Sequence, residues 1–210
     1  MTFSALNTAA SFATRNNPIL TGTVDMSAAT LVKGAGMDLI TPTSVAGSGV
    51  TLSGAVVTVA NAASASINGC FTATYDQYVV TVTDYEQASA AETYFRLRAA
   101  GTNATTNYLN TVVLVNSGGG VASDGTANTS YWYPFYNGSA TIHSFAARFS
   151  APYLAKPTYF EGNSFRSDVL EGRWALGRHS ASTSYDGFSI IPGAGNITRA
   201  TIRIYGLRNS

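Results

Sequence analysis

The sequence predicts an all-β protein, an antiparallel jelly-roll-like β-sandwich with an extended N-terminal arm. Three observations support this fold class. From Met37 onward, short runs with hydrophobic residues at every second position alternate with clusters of Gly, Asn, Ser and Asp, the pattern of strands and turns. The 210-residue chain has only two lysines and four glutamates, residues on which helical bundles depend, and 11% of its residues are charged. No segment has the sustained period of a long amphipathic helix, and a parallel sheet would need crossover helices that the sequence lacks.

Residues 1–36 differ from the rest because they are rich in Ala and small polar residues, with scattered hydrophobic positions. Pro18, after two asparagines, ends any helix that begins near residue 4. We expect this segment to have no core of its own and to form an extended arm that becomes ordered on a partner. A floppy tail is the alternative. The arm residues expected to dock on other proteins are Phe12, Asn17, Pro18, Ile19 and Leu20.

Residues 37–210 are predicted to form the sandwich. The twelve strands expected from period-two alternation are 37–41, 50–60, 64–71, 78–85, 93–99, 108–115, 131–136, 141–150, 158–165, 172–177, 187–191 and 199–207. The turn segments expected between them include 47–49, 101–103, 117–126, 137–138 and 193–195.

Alternation within these strands predicts which side chains share a face. In strand 93–99, one side consists of Phe95, Leu97 and Ala99. The opposite side consists of Tyr94, Arg96 and Arg98. If the first side packs inward, we expect this side to contact water or a neighbouring chain. Two further sets that share a face are His143, Phe145, Ala147 and Phe149 in strand 141–150, and Ile202 and Ile204 in strand 199–207.

The charge, the hydrophobic pattern and the single cysteine argue against nucleic-acid binding, membrane insertion and an internal disulfide. The formal net charge is +1 and no dense basic run occurs, which disfavours nucleic-acid binding. The N-terminus lacks the pattern of a secretory signal, and no stretch of about 18 apolar residues occurs, so we expect no membrane insertion. The single cysteine, Cys70, cannot form an internal disulfide, which fits synthesis in a reducing cytosol.

Few residues have the chemistry of catalysis. His143 and His179 are the only histidines, too few for a multi-histidine metal site. We expect His143 in the core or an interface, His179 at the surface near a turn, and Cys70 as a buried, unreactive thiol. The sequence therefore predicts a protein that is not an enzyme and uses no metal or cofactor. A pair of carboxylates brought together by the fold is the alternative that stays open.

Aromatic residues give a stronger indication. Five of the six residues at 131–136 are aromatic, and one face of a strand cannot bury them all. Tyr131, Trp132, Tyr133 and Tyr136 are therefore candidates for a glycan site or a subunit contact, because aromatic rings stack on sugars and anchor interfaces. Packing in the core and under a loop is the alternative. For Trp174 the same alternatives exist, and core packing is favoured.

Several segments resemble structural proteins of tailed-bacteriophage virions, chiefly tail fibres and minor virion proteins of phages that infect cyanobacteria and marine bacteria. These segments read SINGCFTATYDQYVV at 66–80, FRLRAAGTNATTNY at 95–108 and TIRIYGL at 201–207. In the arm, NPILTGTV at 17–24 is similar to an element that recurs in phage fibre chains. The motifs are short and structural, and they identify no catalytic or receptor-contacting position.

The resemblance implies a protein of the virion surface, made in the host cytoplasm and commonly trimeric. A 36-residue arm, at most about 120 Å long when fully extended, is too short for a long shaft. We therefore expect a short fibre or adhesin component that docks through its arm, with a host-surface glycan as the candidate ligand. As a homotrimer it would use Arg96 and Arg98 at inter-subunit or rim contacts. A capsid decoration protein is the alternative, and a cellular carbohydrate-binding module is a weaker one.

Overall fold

The computed structural model describes residues 36–137, 142–166 and 170–208, which belong to one compact unit, residues 35–210. The docking residues predicted in the arm, from Phe12 to Leu20, lie outside the described residues. The described residues contain sixteen strands and no helix. The strands are β1 (Met37–Ile40), β2 (Ser44–Ala46), β3 (Val50–Ser53), β4 (Val56–Ala62), β5 (Ala65–Asn68), β6 (Gln77–Gln87), β7 (Ala91–Ala99), β8 (Thr102–Asn103), β9 (Tyr108–Val115), β10 (Val121–Thr129), β11 (Trp132–Asn137), β12 (His143–Ser150), β13 (Thr158–Arg166), β14 (Glu171–His179), β15 (Gly187–Pro192) and β16 (Ile197–Leu207).

Two antiparallel sheets pack together, which confirms the predicted all-β sandwich. The large sheet has the order β10-β9-β14-β13-β12-β6-β16-β4-β3, with β1 also paired to β16. The small sheet has the order β11-β7-β15-β5-β2, with β8 paired to β7. The pairs β6–β16, β7–β15 and β9–β14 are nested in the sequence and alternate between the two sheets, as in a jelly roll.

The core between the sheets contains a cluster of aromatic rings among aliphatic side chains. Phe95 of β7 is fully buried, and its ring centroid lies within 6.2 Å of those of Phe135, Phe145, Phe149, Phe160 and Phe188. Burying one such side chain contributes about 1.5–3 kcal/mol, so this cluster is a large part of the driving force for folding.

The shared faces predicted from alternation agree with the structure for most strands. Leu97 is buried beside Phe95, and Ala99 is half-buried. His143, Phe145, Ala147 and Phe149 are all buried, as are Ile202 and Ile204 of β16. The thiol of Cys70 is buried as expected, and burial raises its pKa.

Some strand predictions were wrong. The predicted strand 50–60 is two strands, β3 and β4, because the chain turns at Gly54, whose φ of +57° favours glycine. Strands β2, β8 and β10 were not predicted. The sequence predicts a turn at 117–126, which overlaps β10, because these residues are small and polar. Strand β10 is extended because it pairs with β9 at the edge of the large sheet.

The predicted surface position of His179 is also wrong, because its side chain is only 1% exposed. Its imidazole packs edge-on against Tyr108, with ring centroids 4.5 Å apart, and lies beside Tyr185. The Tyr185 hydroxyl is 3.3 Å from Nδ1 of this histidine. Burial lowers the pKa of His179, so the buried ring is favoured in its neutral form.

Candidate functional site

The aromatic segment 131–136 divides between the core and the surface. The pairing of β11 with β7 shifts between Trp132 and Phe135, so two residues three positions apart are both buried. The indole of Trp132 stacks on Phe160 with a centroid separation of 4.8 Å, and its Nε1 donates a hydrogen bond to the Leu109 carbonyl at 3.1 Å. Trp132 is fully buried, so its prediction as a ligand or interface residue is wrong.

Of the other tyrosines predicted in this segment, Tyr133 belongs to the edge of the core, and Tyr131 and Tyr136 are only partly buried. Tyr136 is half-buried, and the Arg173 guanidinium lies 5.3 Å from the centre of its ring. Tyr131 is half-buried, whereas Tyr133 is 9% exposed. Tyr131 stacks on Tyr94 of β7 with centroids 3.9 Å apart, and Tyr133 meets Tyr131 edge-on at 6.4 Å.

These rings line a surface cavity of about 260 Å³, here named the tyrosine cleft. Its lining residues are Glu92, Tyr94, Asp124, Thr126, Tyr131 and Tyr133. They come from β7, β10, β11 and the residue just before β11, which converge where the two sheets meet at one side of the sandwich. The cleft therefore combines three phenol rings with two carboxylates and a hydroxyl.

The two carboxylates of the cleft have different surroundings. Asp124 accepts a hydrogen bond from the Tyr133 hydroxyl at 3.1 Å and one from the Gly125 amide at 2.8 Å. Glu92 lies 3.5 Å from Arg173, whose guanidinium also contacts Glu171 at 2.6 Å. Burial raises the pKa of Glu92 to about 7, against the opposing effect of the Arg173 charge. Burial and the neighbouring Tyr131 hydroxyl raise the pKa of Tyr94 to about 12.

Two buried polar atoms of the cleft lack a partner. Neither Oε2 of Glu92 nor Oγ1 of Thr126 has a hydrogen-bond partner among the described residues. A buried polar atom without a partner costs free energy, because it has lost its hydrogen bonds to water. Both atoms would therefore recover hydrogen bonds if a ligand supplied hydroxyl groups.

The two arginines predicted at inter-subunit or rim contacts, Arg96 and Arg98, have different surroundings in the structure. Arg96 is half-buried at the edge of the cleft, where it donates a hydrogen bond to the Ser130 carbonyl at 3.0 Å and lies 5.9 Å from the Tyr131 ring centre. Arg98 is only 7% exposed. Its guanidinium donates to Asn68, Ser66, Asn103, Ser189 and the Gly101 carbonyl.

The expectation that Arg98 meets water or a neighbouring chain is therefore wrong. Its place on the outward side of β7 was inferred correctly from alternation. However, polar side chains of β5, β8 and β15 cover that part of the strand and hold the guanidinium by hydrogen bonds. Arg98 joins parts of the small sheet rather than two subunits.

A second surface of interest is the outer face of the large sheet. Seven large side chains on this face are exposed, and together they are named the apolar face: Val113, Val115, Val121, Tyr159, Phe165, Trp174 and Leu176. The strand register places them on one side of β10, β9, β14 and β13, with Trp174 between Val113 and Asn163. Trp174 is 56% exposed, so the expectation that it packs in the core is wrong.

The position of Trp174 follows from the side of β14 that faces the core. Ala175 and His179 of this strand are buried. The alternate positions, including Trp174 and Leu176, consequently point away from the small sheet. Alternation alone indicated that Trp174 and Ala175 lie on opposite faces, but it did not indicate which of them the small sheet covers.

Within the described ranges, no group of three or more His, Cys, Asp or Glu side chains is arranged to hold a metal ion. The same residues include no helix that is long and apolar enough to span a membrane. Comparison of the sequence with known protein families gives no match, and comparison with curated proteins gives none either.

Proposed function

We propose that this chain is a non-enzymatic structural protein of a bacteriophage virion, a short fibre or adhesin component. It docks through its N-terminal arm and presents the β-sandwich head for attachment to the host surface. The observation that carries the proposal is the apolar face, because a large apolar patch on a soluble domain is typical of a protein that assembles with others. The phage-like motifs of the sequence favour the virion as the assembly.

We propose a second copy of the same chain as the occupant of the apolar face, with a homotrimer as the product. The face carries charges of both signs, since Glu161 lies between Arg148 and Leu176 in the strand register and Arg178 lies opposite Tyr159. Copies that meet through this face can therefore pair opposite charges around Trp174 and Leu176, which the contact would bury. The low overall charge of the chain limits the desolvation cost of such contacts.

Light scattering on the purified full chain tests the oligomer. We expect the mass of a trimer for the native protein and the mass of a monomer for Leu176→Glu, because a carboxylate at this position would be buried in the interface. Leu39→Glu is the matched control, since Leu39 is also exposed but lies on β1, several strands away from β14 in the sheet order. A native protein that is monomeric at micromolar concentration, or a trimer unaffected by Leu176→Glu, would contradict the proposed use of this face.

A capsid decoration protein is the second candidate function. The observation that favours it is the edge strand β10, of which seven of the nine residues are exposed and whose outer edge has no neighbour in the strand order. Such an edge accepts an added strand from another chain.

The position and copy number of the chain on purified particles distinguish the two functions. A few trimers on the tail indicate a fibre, and hundreds of copies on the shell indicate decoration. Absence of the chain from the particles would contradict both.

A further inference from the structure

We propose that the tyrosine cleft is a binding site for a single neutral sugar ring. This inference deepens the host-attachment part of the proposed function and rests on it for its biological purpose. The binding itself follows from the chemistry of the residues that line the cleft.

The walls of the cleft have the amphipathic character that sugars require. A pyranose ring has apolar C–H groups on its faces and hydroxyls around its edge. The phenol rings of Tyr94, Tyr131 and Tyr133 supply apolar surface, and each ends in a hydroxyl that can donate and accept hydrogen bonds. The stacking of Tyr94 on Tyr131 at 3.9 Å, with the Arg96 guanidinium beside Tyr131, holds this wall in place before a ligand arrives.

The unpartnered polar atoms match the hydroxyls of a sugar. Oε2 of Glu92 is an acceptor when the carboxylate is ionised, and Oγ1 of Thr126 both donates and accepts. Both atoms are buried and have no partner among the described residues. The hydroxyls of a sugar can form hydrogen bonds with atoms of both kinds, whereas an apolar ligand would leave both unsatisfied.

The charges around the cleft favour a neutral ligand. The carboxyl groups of Asp124 and Glu92 line the cavity, and each repels an anion in its ionised form. Arg173, which lies 3.5 Å from Glu92, and Arg96 at the edge of the cleft oppose the binding of a cation. The volume of about 260 Å³ lies just below the range of about 300–1,000 Å³ for small-molecule sites, so one ring is the appropriate size.

Saturation-transfer NMR and calorimetry with the purified full chain test the proposal. The probes are the methyl glycosides of glucose, galactose and mannose, and N-acetylglucosamine. Sialic acid serves as the anionic comparison and glucosamine as the cationic one. We expect saturable binding of at least one neutral probe, and weaker binding of both charged sugars. No binding by any neutral probe, or preference for a charged one, would overturn the proposal.

Three substitutions locate the binding. Thr126→Val removes one hydrogen-bonding atom at nearly constant volume, and we expect about a five- to tenfold loss of affinity. Tyr131→Leu removes the stacked ring and should abolish detectable binding, whereas Tyr131→Phe keeps the ring and guards against a folding defect. Tyr153→Leu is the control, because Tyr153 is exposed but does not line the cleft. Sugar binding that none of the cleft variants weakens lies elsewhere and would refute this site.

The failure of this inference can be distinguished from failure of the proposed function. If the chain forms trimers on virions but binds no neutral sugar, the assignment of the cleft is wrong and the structural role stands. If the cleft binds a sugar but the chain is absent from virions, the assignment of the cleft stands and the structural role is wrong.

Discussion

Replacement of Gly177 by alanine tests how tightly Trp132 packs beneath strand β14. A Cβ atom at position 177 would lie 2.4 Å from Nε1 and 2.5 Å from Cδ1 of Trp132, and 3.0 Å from the Leu109 carbonyl oxygen. The first two distances are too short for any pair of heavy atoms that are not bonded, so the indole must move by about 1 Å. Overpacking of this kind costs about 1–3 kcal/mol.

The movement of the indole has a second cost. The hydrogen bond from Nε1 to the Leu109 carbonyl, now 3.1 Å long, would be lost or distorted, for a further loss of about 1 kcal/mol. We therefore expect Gly177→Ala to lower the free energy of unfolding by about 2–4 kcal/mol. For a domain of this size the midpoint of thermal unfolding would fall by about 5–15 °C.

Urea denaturation followed by tryptophan fluorescence measures the change in unfolding free energy. Gly172→Ala is the matched control, because Gly172 lies on the same strand and its added Cβ would be 3.6 Å from the Trp174 ring, an ordinary contact. We expect this variant to differ from the native protein by less than about 1 kcal/mol. Equal stability of the two variants would refute the packing described for Trp132.

Three further predictions concern buried polar groups. Arg98→Met should destabilise the fold by about 2–4 kcal/mol in urea denaturation, since several buried acceptors lose their donor, whereas Arg96→Met should cost no more than about 1 kcal/mol; equal effects would contradict the distinction. Burial raises the pKa of Glu92 from 4.5 to about 7, so between these values the folded state binds a proton that the unfolded state has released, and stability falls as the pH rises. Thermal unfolding from pH 5 to pH 8 should therefore show a smaller pH dependence in Glu92→Gln, but not in Glu86→Gln, which also loses one ion pair; an unchanged slope in Glu92→Gln would count against this assignment. Cys70 should react with a thiol reagent only when the protein is unfolded, and rapid labelling of the native protein would show that the thiol is not buried.

The strands were predictable where one face is packed against the opposite sheet, and the outer surfaces were not. In β7 and β12 the inward residues alternate with others, so both the strands and the residues that share a face follow from the sequence. Strand β10 has no buried face, and no hydrophobic alternation marks it. Its extended conformation depends on hydrogen bonds to β9, and the tertiary fold brings the two strands together.

The errors at Arg98 and Trp174 have a common cause. Alternation assigns side chains to two faces of a strand, but long-range packing determines which face is covered. Neighbouring polar groups cover the outward side of β7 at Arg98, whereas no described residue covers the outer side of β14 at Trp174.

The tyrosine cleft was predictable only in part. Tyr131, Tyr133 and Arg96 were expected at a binding surface, and all three lie in or beside the cleft. Glu92, Asp124 and Thr126 were not expected, because they come from β7 and β10, and no sequence motif connects these strands. The pairing of β11 with β7 and the approach of β10 bring them together.

The position of β16 determines when the head can fold. This last strand lies in the interior of the large sheet between β6 and β4, and its Leu207 pairs with Gln77, 130 positions earlier in the chain. The central part of the sheet therefore cannot close until β16 has been synthesised. Pairing over such distances in sequence is typical of folding on the millisecond-to-second timescale. We therefore expect the head to complete its fold only after β16 has left the ribosome, and a chain that stops before residue 197 to leave the edges of β6 and β4 exposed to aggregation.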